Sequence, residues 1–398
     1  MLGAFLILLP VALVAPWLLV LDPDGLRARL GKAQSWLAAV GVVVGLRLFL
    51  SVVLTTAQDR ERLIFLGRVY GSVLQILVVA GLFLLAFTLL LAVWPRGGAV
   101  ALAAFREGIR QPLFWLLAGA TVVLLVLSLV IPYFTFGDDY KMMKQIGFDL
   151  VMLVTGLFAV ITASVSISEE IEGRTAITLM SKPLSRRQFL LGKFLGILLA
   201  SLLLAAVLGW FLNWALYAKM FLEFDDVVDA LQVQVQPGLN AALQSLAADR
   251  ETGCLLEGAA AWKSGAAALL PGLVIISGQA MLFLAIAAAL ATRLPLIANL
   301  NLCLTLFFLG NLAPHLVRLA QDVKERYGVE LVEFMAQLMN TVLPALEYFG
   351  PGTAIVRDQP LPLGAYSLHA LYVTGYSILY SAIALLFGMI LFEDRDLA

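Results

Sequence analysis

Apolar runs of about 20 residues recur along the whole chain, separated by polar stretches. No other feature limits its fold as much. Each run is long enough to cross a hydrocarbon core of roughly 30 Å as a helix. In that medium every backbone N–H and C=O must be paired inside the segment or inside a closed barrel. Barrel strands alternate in polarity over about 10 residues, whereas these runs stay apolar throughout, so helices are the solution. Composition agrees: 62% of the residues are hydrophobic and 13% charged, against about 25% charged in soluble domains. The sequence therefore predicts an all-α fold, a polytopic transmembrane helical bundle of about nine spans. Amphipathic interfacial and external helices join them. The lipid bilayer is the first partner. A net charge of −1 offers no basic footprint for nucleic acid.

In chain order, the first run covers 1–21 and contains Pro10 and Pro16. It lacks a basic stretch before the apolar part and a convincing small-x-small cleavage site, so it reads as a membrane helix rather than a signal peptide. Spans follow at about 35–57, with Arg47 inside, and 69–94, ending at Trp94. Charged connectors fill 22–34 and 58–68. Pro95-Arg96-Gly97-Gly98 reads as a linker. Residues 99–111, AVALAAFREGIRQ, place Leu102, Phe105 and Ile109 at helical spacing, with Arg106, Glu107 and Arg110 among the other positions. That pattern predicts an amphipathic helix in the interface. Six further spans are expected at about 113–134, 149–167, 194–217, 266–291, 294–315 and 365–392. Short basic connectors stay cytoplasmic while long ones cross largely regardless of charge. This rule puts 95–112, 168–193, Arg293 and the C-terminus in the cytoplasm. It puts the long loops 218–264 and 316–364 outside, and by parity the N-terminus outside.

Within the second long loop, Val323, Tyr327, Leu331, Phe334, Leu338 and Val342 recur at helical spacing and predict one amphipathic helix. Within the first, Val227, Val228 and Leu231, then Leu239, Ala242, Leu243 and Leu246, suggest two short helices broken at Pro237-Gly238. Such loops fit either a lid over an export route or packing against the outer ends of the spans.

The most patterned polar stretch is Ser168 to Lys193, SEEIEGRTAITLMSKPLSRRQFLLGK. Gly173 weakens continuation of the incoming helix. Ile177, Leu179 and Met180 give one apolar side to a short helix. Lys182-Pro183 stops it, and Ser185 is placed to cap the next. Arg186, Arg187 and Lys193 would mark the cytoplasmic rim. On these residues alone, a solvated loop and a docking surface are both open. The ordered run Glu170-Ile171-Glu172, Arg174-Thr175, Leu179, Ser181-Lys182-Pro183, Ser185-Arg186, Phe189 and Gly192-Lys193 resembles the loop after the second core helix of ABC-2 type transporter permeases. Residues 99–111 resemble that family's elbow helix, and Phe392-Glu393-Asp394-Arg395-Asp396-Leu397 its usual ending.

The resemblance implies a six-helix permease domain over 99–398, preceded by a three-helix membrane extension over 1–98. It implies a transporter subunit of the bacterial cytoplasmic membrane, working with a second permease chain and a separate ABC ATP-binding subunit. The residues it assigns to the ATPase contact are Glu170, Glu172, Arg174, Thr175, Leu179, Lys182, Pro183 and Arg186. No cofactor is expected on this chain. ATP and Mg²⁺ belong to the partner, because the chain holds no G-x-x-x-x-G-K-[ST] phosphate cradle.

No G-x-S-x-G or H-E-x-x-H occurs either. His315 and His369 are placed as interfacial side chains, Cys254 in a polar loop and Cys303 in an apolar run, so none makes a metal site or disulfide framework. Intramembrane charge is expensive. Arg47 is the one clear case, fitting a carboxylate partner, a polar cavity or a snorkelling side chain. A proton- or sodium-driven carrier would usually need more such charge. The alternatives to a permease are therefore a membrane-embedded enzyme or assembly factor without ATP coupling, and a secondary carrier.

Overall fold

The structure is a computed structural model that describes residues 45, 59–131, 139–172, 185–223, 250–327, 330–350 and 363–393. Regular structure among them is helical: α1 Arg60–Val93, α2 Pro95–Arg110, α3 Pro112–Val130, α4 Asp139–Glu172, α5 Arg186–Glu223, α6 Arg250–Leu290, α7 Leu296–Tyr327, α8 Glu330–Val342, a short 3₁₀ turn Leu346–Phe349, and α9 Leu363–Glu393. Seven of these helices are long and apolar enough to cross a membrane: α1, α3, α4, α5, α6, α7 and α9. They match the last seven of the nine predicted spans. The first two, with Arg47, lie outside the described residues but for Gly45.

The helices overrun the apolar runs that announced them. The connector at 58–68 is already helical from Arg60, and Cys254, assigned to a polar loop, sits buried in α6. His315 and His369 lie within α7 and α9. Hydropathy marks the length that lipid can cover. Helix propagation continues wherever the following residues are good formers, as Gln321, Lys324, Glu325 and Arg326 are. The amphipathic helix expected around 323–342 is therefore two pieces, the end of α7 and α8, with Lys324 Nζ 2.6 Å from Glu333 Oε2.

Two compact units divide the chain. The first joins α1, the end of α5 from Leu216, and α6 up to Leu269. Its key is Gly67-x-x-x-Gly71 on α1 facing Gly258 on α6. A Cβ on Gly67 would fall on the Leu255 carbonyl, and one on Gly258 on the Ile64 carbonyl. Small residues let helix backbones approach where lipid gives no hydrophobic drive. Around this crossing, Arg60 pairs with Glu257 at 3.4 Å, Trp262 Nε1 donates to Gln75 Oε1 at 2.8 Å, and the buried Arg68 lies 4.0 Å from the Tyr217 ring centroid. Replacing Gly258 by Ala is expected to force α1 off α6 and cost about 1–3 kcal/mol, as overpacking does. Gly119→Ala in α3, where a Cβ meets nothing, is the control. Thermal unfolding in detergent should separate the two, and equal unfolding temperatures would refute the crossing.

The second unit holds the rest. Leu282 to Ala289 of α6 is buried all round, as a helix apolar on every side should be. Gly388 of α9 rests on Ala289, since a Cβ there would come within 2.7 Å of it. Phe114 of α3 meets Phe158 of α4 edge-on, with ring centroids 5.5 Å apart. Part of the predicted external loop 316–364 is wedged into this unit. Leu346 and Phe349 are buried. Leu346 packs on Gly310 of α7, Phe349 on Gly278 of α6, and Tyr376 of α9 takes a hydrogen bond from the Ala345 amide at 3.1 Å. Two large apolar side chains need burial, and the two glycines leave them room. This segment packs against α6, α7 and α9.

Candidate functional site

Ser185 starts α5 with a capping box. Its Oγ accepts from the Gln188 amide and its own amide donates to Gln188 Oε1, both at 3.2 Å. This fixes the direction in which α5 leaves the polar stretch and aims its first turns at two different targets.

The first target is the carboxyl end of α9. Arg186 Nη1 donates to the carbonyls of Phe392 at 2.8 Å and Glu393 at 3.0 Å. Arg187 pairs with Glu393 Oε1 at 2.8 Å. From the α6–α7 turn, Arg293 Nε donates to the Leu391 carbonyl at 2.8 Å. Helix C-termini leave carbonyls unpaired and carry partial negative charge, so three guanidinium groups gathered there satisfy both demands.

The second target lies two turns on. Lys193 is only 4% exposed. Its Nζ donates to Glu170 Oε1 at 2.6 Å, Ser166 Oγ at 2.8 Å and Glu107 Oε2 at 3.0 Å. Ser166 Oγ donates in turn to Glu107 Oε1 at 2.9 Å. An ammonium has three protons, and three acceptors from two other helices take them. Lys193, read from the sequence only as a marker of the cytoplasmic rim, is thus a buried node among three helices. Burial is affordable because two carboxylates compensate one cation.

Helix α2 brings Glu107 to this node by its small face. Gly97, Gly98, Ala101, Ala104 and Gly108 are its buried residues. A Cβ on Gly196 of α5 would fall on the Ala101 carbonyl, and one on Gly192 would come within 2.9 Å of the Gly97 oxygen. The Gly97-Gly98 linker is therefore already helical, begun by Pro95 at the first helical position. Leu102, Phe105 and Ile109, the apolar stripe of the predicted interfacial helix, are half-buried, and Arg106 and Arg110 are exposed.

Helix α4 serves the node by a spacing the sequence reading overlooked. In Ser164-Val165-Ser166-Ile167-Ser168-Glu169-Glu170, residues four apart share a face. Ser166 and Glu170 face Lys193. Ser164 accepts from Asn299 Nδ2 of α7 at 3.0 Å, and Ser168 Oγ donates to the Leu294 carbonyl at 3.4 Å. The last turns of α4 are thus fastened on both sides. Alternating small polar residues just before a charged stretch were the available signal.

Of the residues assigned to the ATPase contact, the structure brings together Glu170, in the node, and Arg186, on the end of α9. Glu172 is the last residue of α4, while Arg174, Thr175, Leu179, Lys182 and Pro183 lie outside the described residues. Among described residues no group of three or more His, Cys, Asp or Glu could hold a metal ion. What the arrangement offers is mechanical. The two helices flanking the polar stretch are tied to each other, to α2 and to the end of α9.

A search of curated proteins finds no match to this chain. The family model described as ABC-2 family transporter protein matches residues 98–397, from the first turn of α2 to beyond the end of α9. The match includes every residue of the charged node and the three arginines that contact the end of α9, and α1 precedes it. By that match the chain belongs to the ABC-2 family of transporter proteins.

Proposed function

We propose that this chain is the membrane-spanning permease subunit of an ATP-driven exporter in the bacterial cytoplasmic membrane. Residues 168–193 dock on a separate ATP-binding subunit, and a second permease chain completes the route. ATP and Mg²⁺ are held by the ATP-binding subunit. The C-terminus is cytoplasmic, the N-terminus external, and residues 1–98 form an added membrane segment. The observation that carries this reading is the Lys193 node. A loop rooted in a three-helix joint can pass a push from below into α2, α4 and α5 together, whereas a loop on two loose helix ends would absorb it.

The test is to reverse character in the loop while leaving its root intact. Leu179→Glu and Glu172→Lys are expected to weaken ATPase association by about thirtyfold each, the size of an interface hot spot. Transport-linked ATP hydrolysis should fall with it, and thermal unfolding of the isolated chain should not change. Undiminished association in both variants would sink the assignment.

A further inference from the structure

A second feature lies away from the charged node, in the crevice bounded by α4, α6 and α7. It encloses about 90 Å³ and is walled by Met152, Gly156, Phe283, Leu300 and Phe307. Gln279 of α6 is the polar exception in this wall. It is only 4% exposed, and its Oε1 has no hydrogen-bond partner among the described residues. The nearby Cys303 thiol is engaged elsewhere, 3.6 Å from Asn299 Oδ1. Buried polar atoms are nearly always paired, so an exception asks for an explanation.

Water does not supply one. A buried water needs two to four polar partners, and the crevice gives it Gln279 alone. What completes a lone acceptor in an apolar wall is a donor carried on an apolar body. The volume also selects. About 150 Å³ holds a whole benzene, so this crevice takes one end of a molecule. The rest lies along its open side, where Leu304 and Phe308 are exposed. Gln279 sits well inside the predicted span 266–291, so a glycerophospholipid headgroup is at the wrong depth.

We propose that the crevice between α4, α6 and α7 binds an apolar molecule bearing a hydroxyl or N–H donor, drawn from the bilayer and recognised through Gln279 Oε1. Gly156 borders the open space of the crevice, since a Cβ there would meet nothing within 4 Å.

The probes are a diazirine-bearing alkylphenol and its methyl ether, in which a methyl group replaces the donor hydrogen. The full chain is placed in nanodiscs of dioleoylphosphatidylcholine, a lipid without a hydrogen-bond donor, and photolabelled peptides are mapped by mass spectrometry. Labels are expected within residues 152–160 and 300–308. The phenol should saturate at about tenfold lower concentration than the ether, the factor that one hydrogen bond of ordinary net strength supplies. Gln279→Leu should erase that tenfold preference while ether labelling persists. Gly156→Leu, which fills the crevice, should remove both labels. Equal labelling by phenol and ether in the unaltered chain overturns the proposal, as does labelling confined to other peptides or unaffected by Gly156→Leu. Should Gln279→Leu fail to fold, the comparison of the two probes on the unaltered chain still decides. No ATP-binding subunit is present, so the outcome is independent of the transport reading.

Discussion

The double variant Glu107→Gln, Glu170→Gln should unfold at a much lower temperature than the sum of its single variants predicts. Each carboxylate is partly exposed, 41% for the Glu107 side chain and 26% for Glu170, while the Lys193 side chain is 5% exposed. Removing one carboxylate leaves a one-to-one pair, and a partly solvated pair is worth little on its own. The cost should be about 1 kcal/mol. Removing both leaves a buried ammonium with no compensating charge, and stranding one member of a buried pair costs about 3–5 kcal/mol. The expected non-additivity is therefore about 1–3 kcal/mol. It is read from a double-mutant cycle on thermal unfolding in detergent. Additive single effects would show that Lys193 is solvated and that the joint does not exist.

Gly196→Val should be the most damaging single substitution on α5. A Cβ at that position already falls on the Ala101 carbonyl and comes within 2.7 Å of the Ala104 side chain. A valine adds two methyl groups to a space that holds none, and backbone atoms cannot rotate aside. Overpacking usually costs about 1–3 kcal/mol, and here the strain is relieved only if α2 moves away. That movement would carry Glu107 from Lys193, so the variant should also abolish the Glu107 contribution. In a cycle with Glu107→Gln, the second change should add almost nothing to the first. Full additivity would mean that α2 stays seated and that the glycine contact is incidental. If residues 168–193 transmit force as proposed, transport should fail in Gly196→Val even where enough chain remains folded to be assayed.

Both variants act on contacts between residues far apart in the chain, and this is where sequence and structure part. Gln188 sits three residues from Ser185, and a local rule predicted that Ser185 caps α5. Lys193 lies 86 residues from Glu107, and its charge suggested the rim to any rule based on hydropathy. Nothing local marks it as buried. Helix α2 shows the same limit: its apolar stripe was legible and its packing face was not. Leu102, Phe105 and Ile109 are what an interface covers, but in a bundle where lipid is as apolar as leucine, close approach of small residues decides packing. Gly97, Ala101, Ala104 and Gly108 therefore face the chain.

The amino-acid sequence alone determined that the chain is helical and crosses a membrane repeatedly, and its ordered polar motif resembled that of ABC-2 type permeases. Those conclusions rest on run length, backbone hydrogen bonding in hydrocarbon and an ordered local motif, each readable over a few tens of residues. Only the tertiary structure decided which glycines are crossings, that Pro344 to Gly350 is wedged among helices, and that Lys193 is shared by two carboxylates. The reason is physical: pairing a buried charge and seating a backbone against another depend on what stands opposite, and the local sequence does not say what that is.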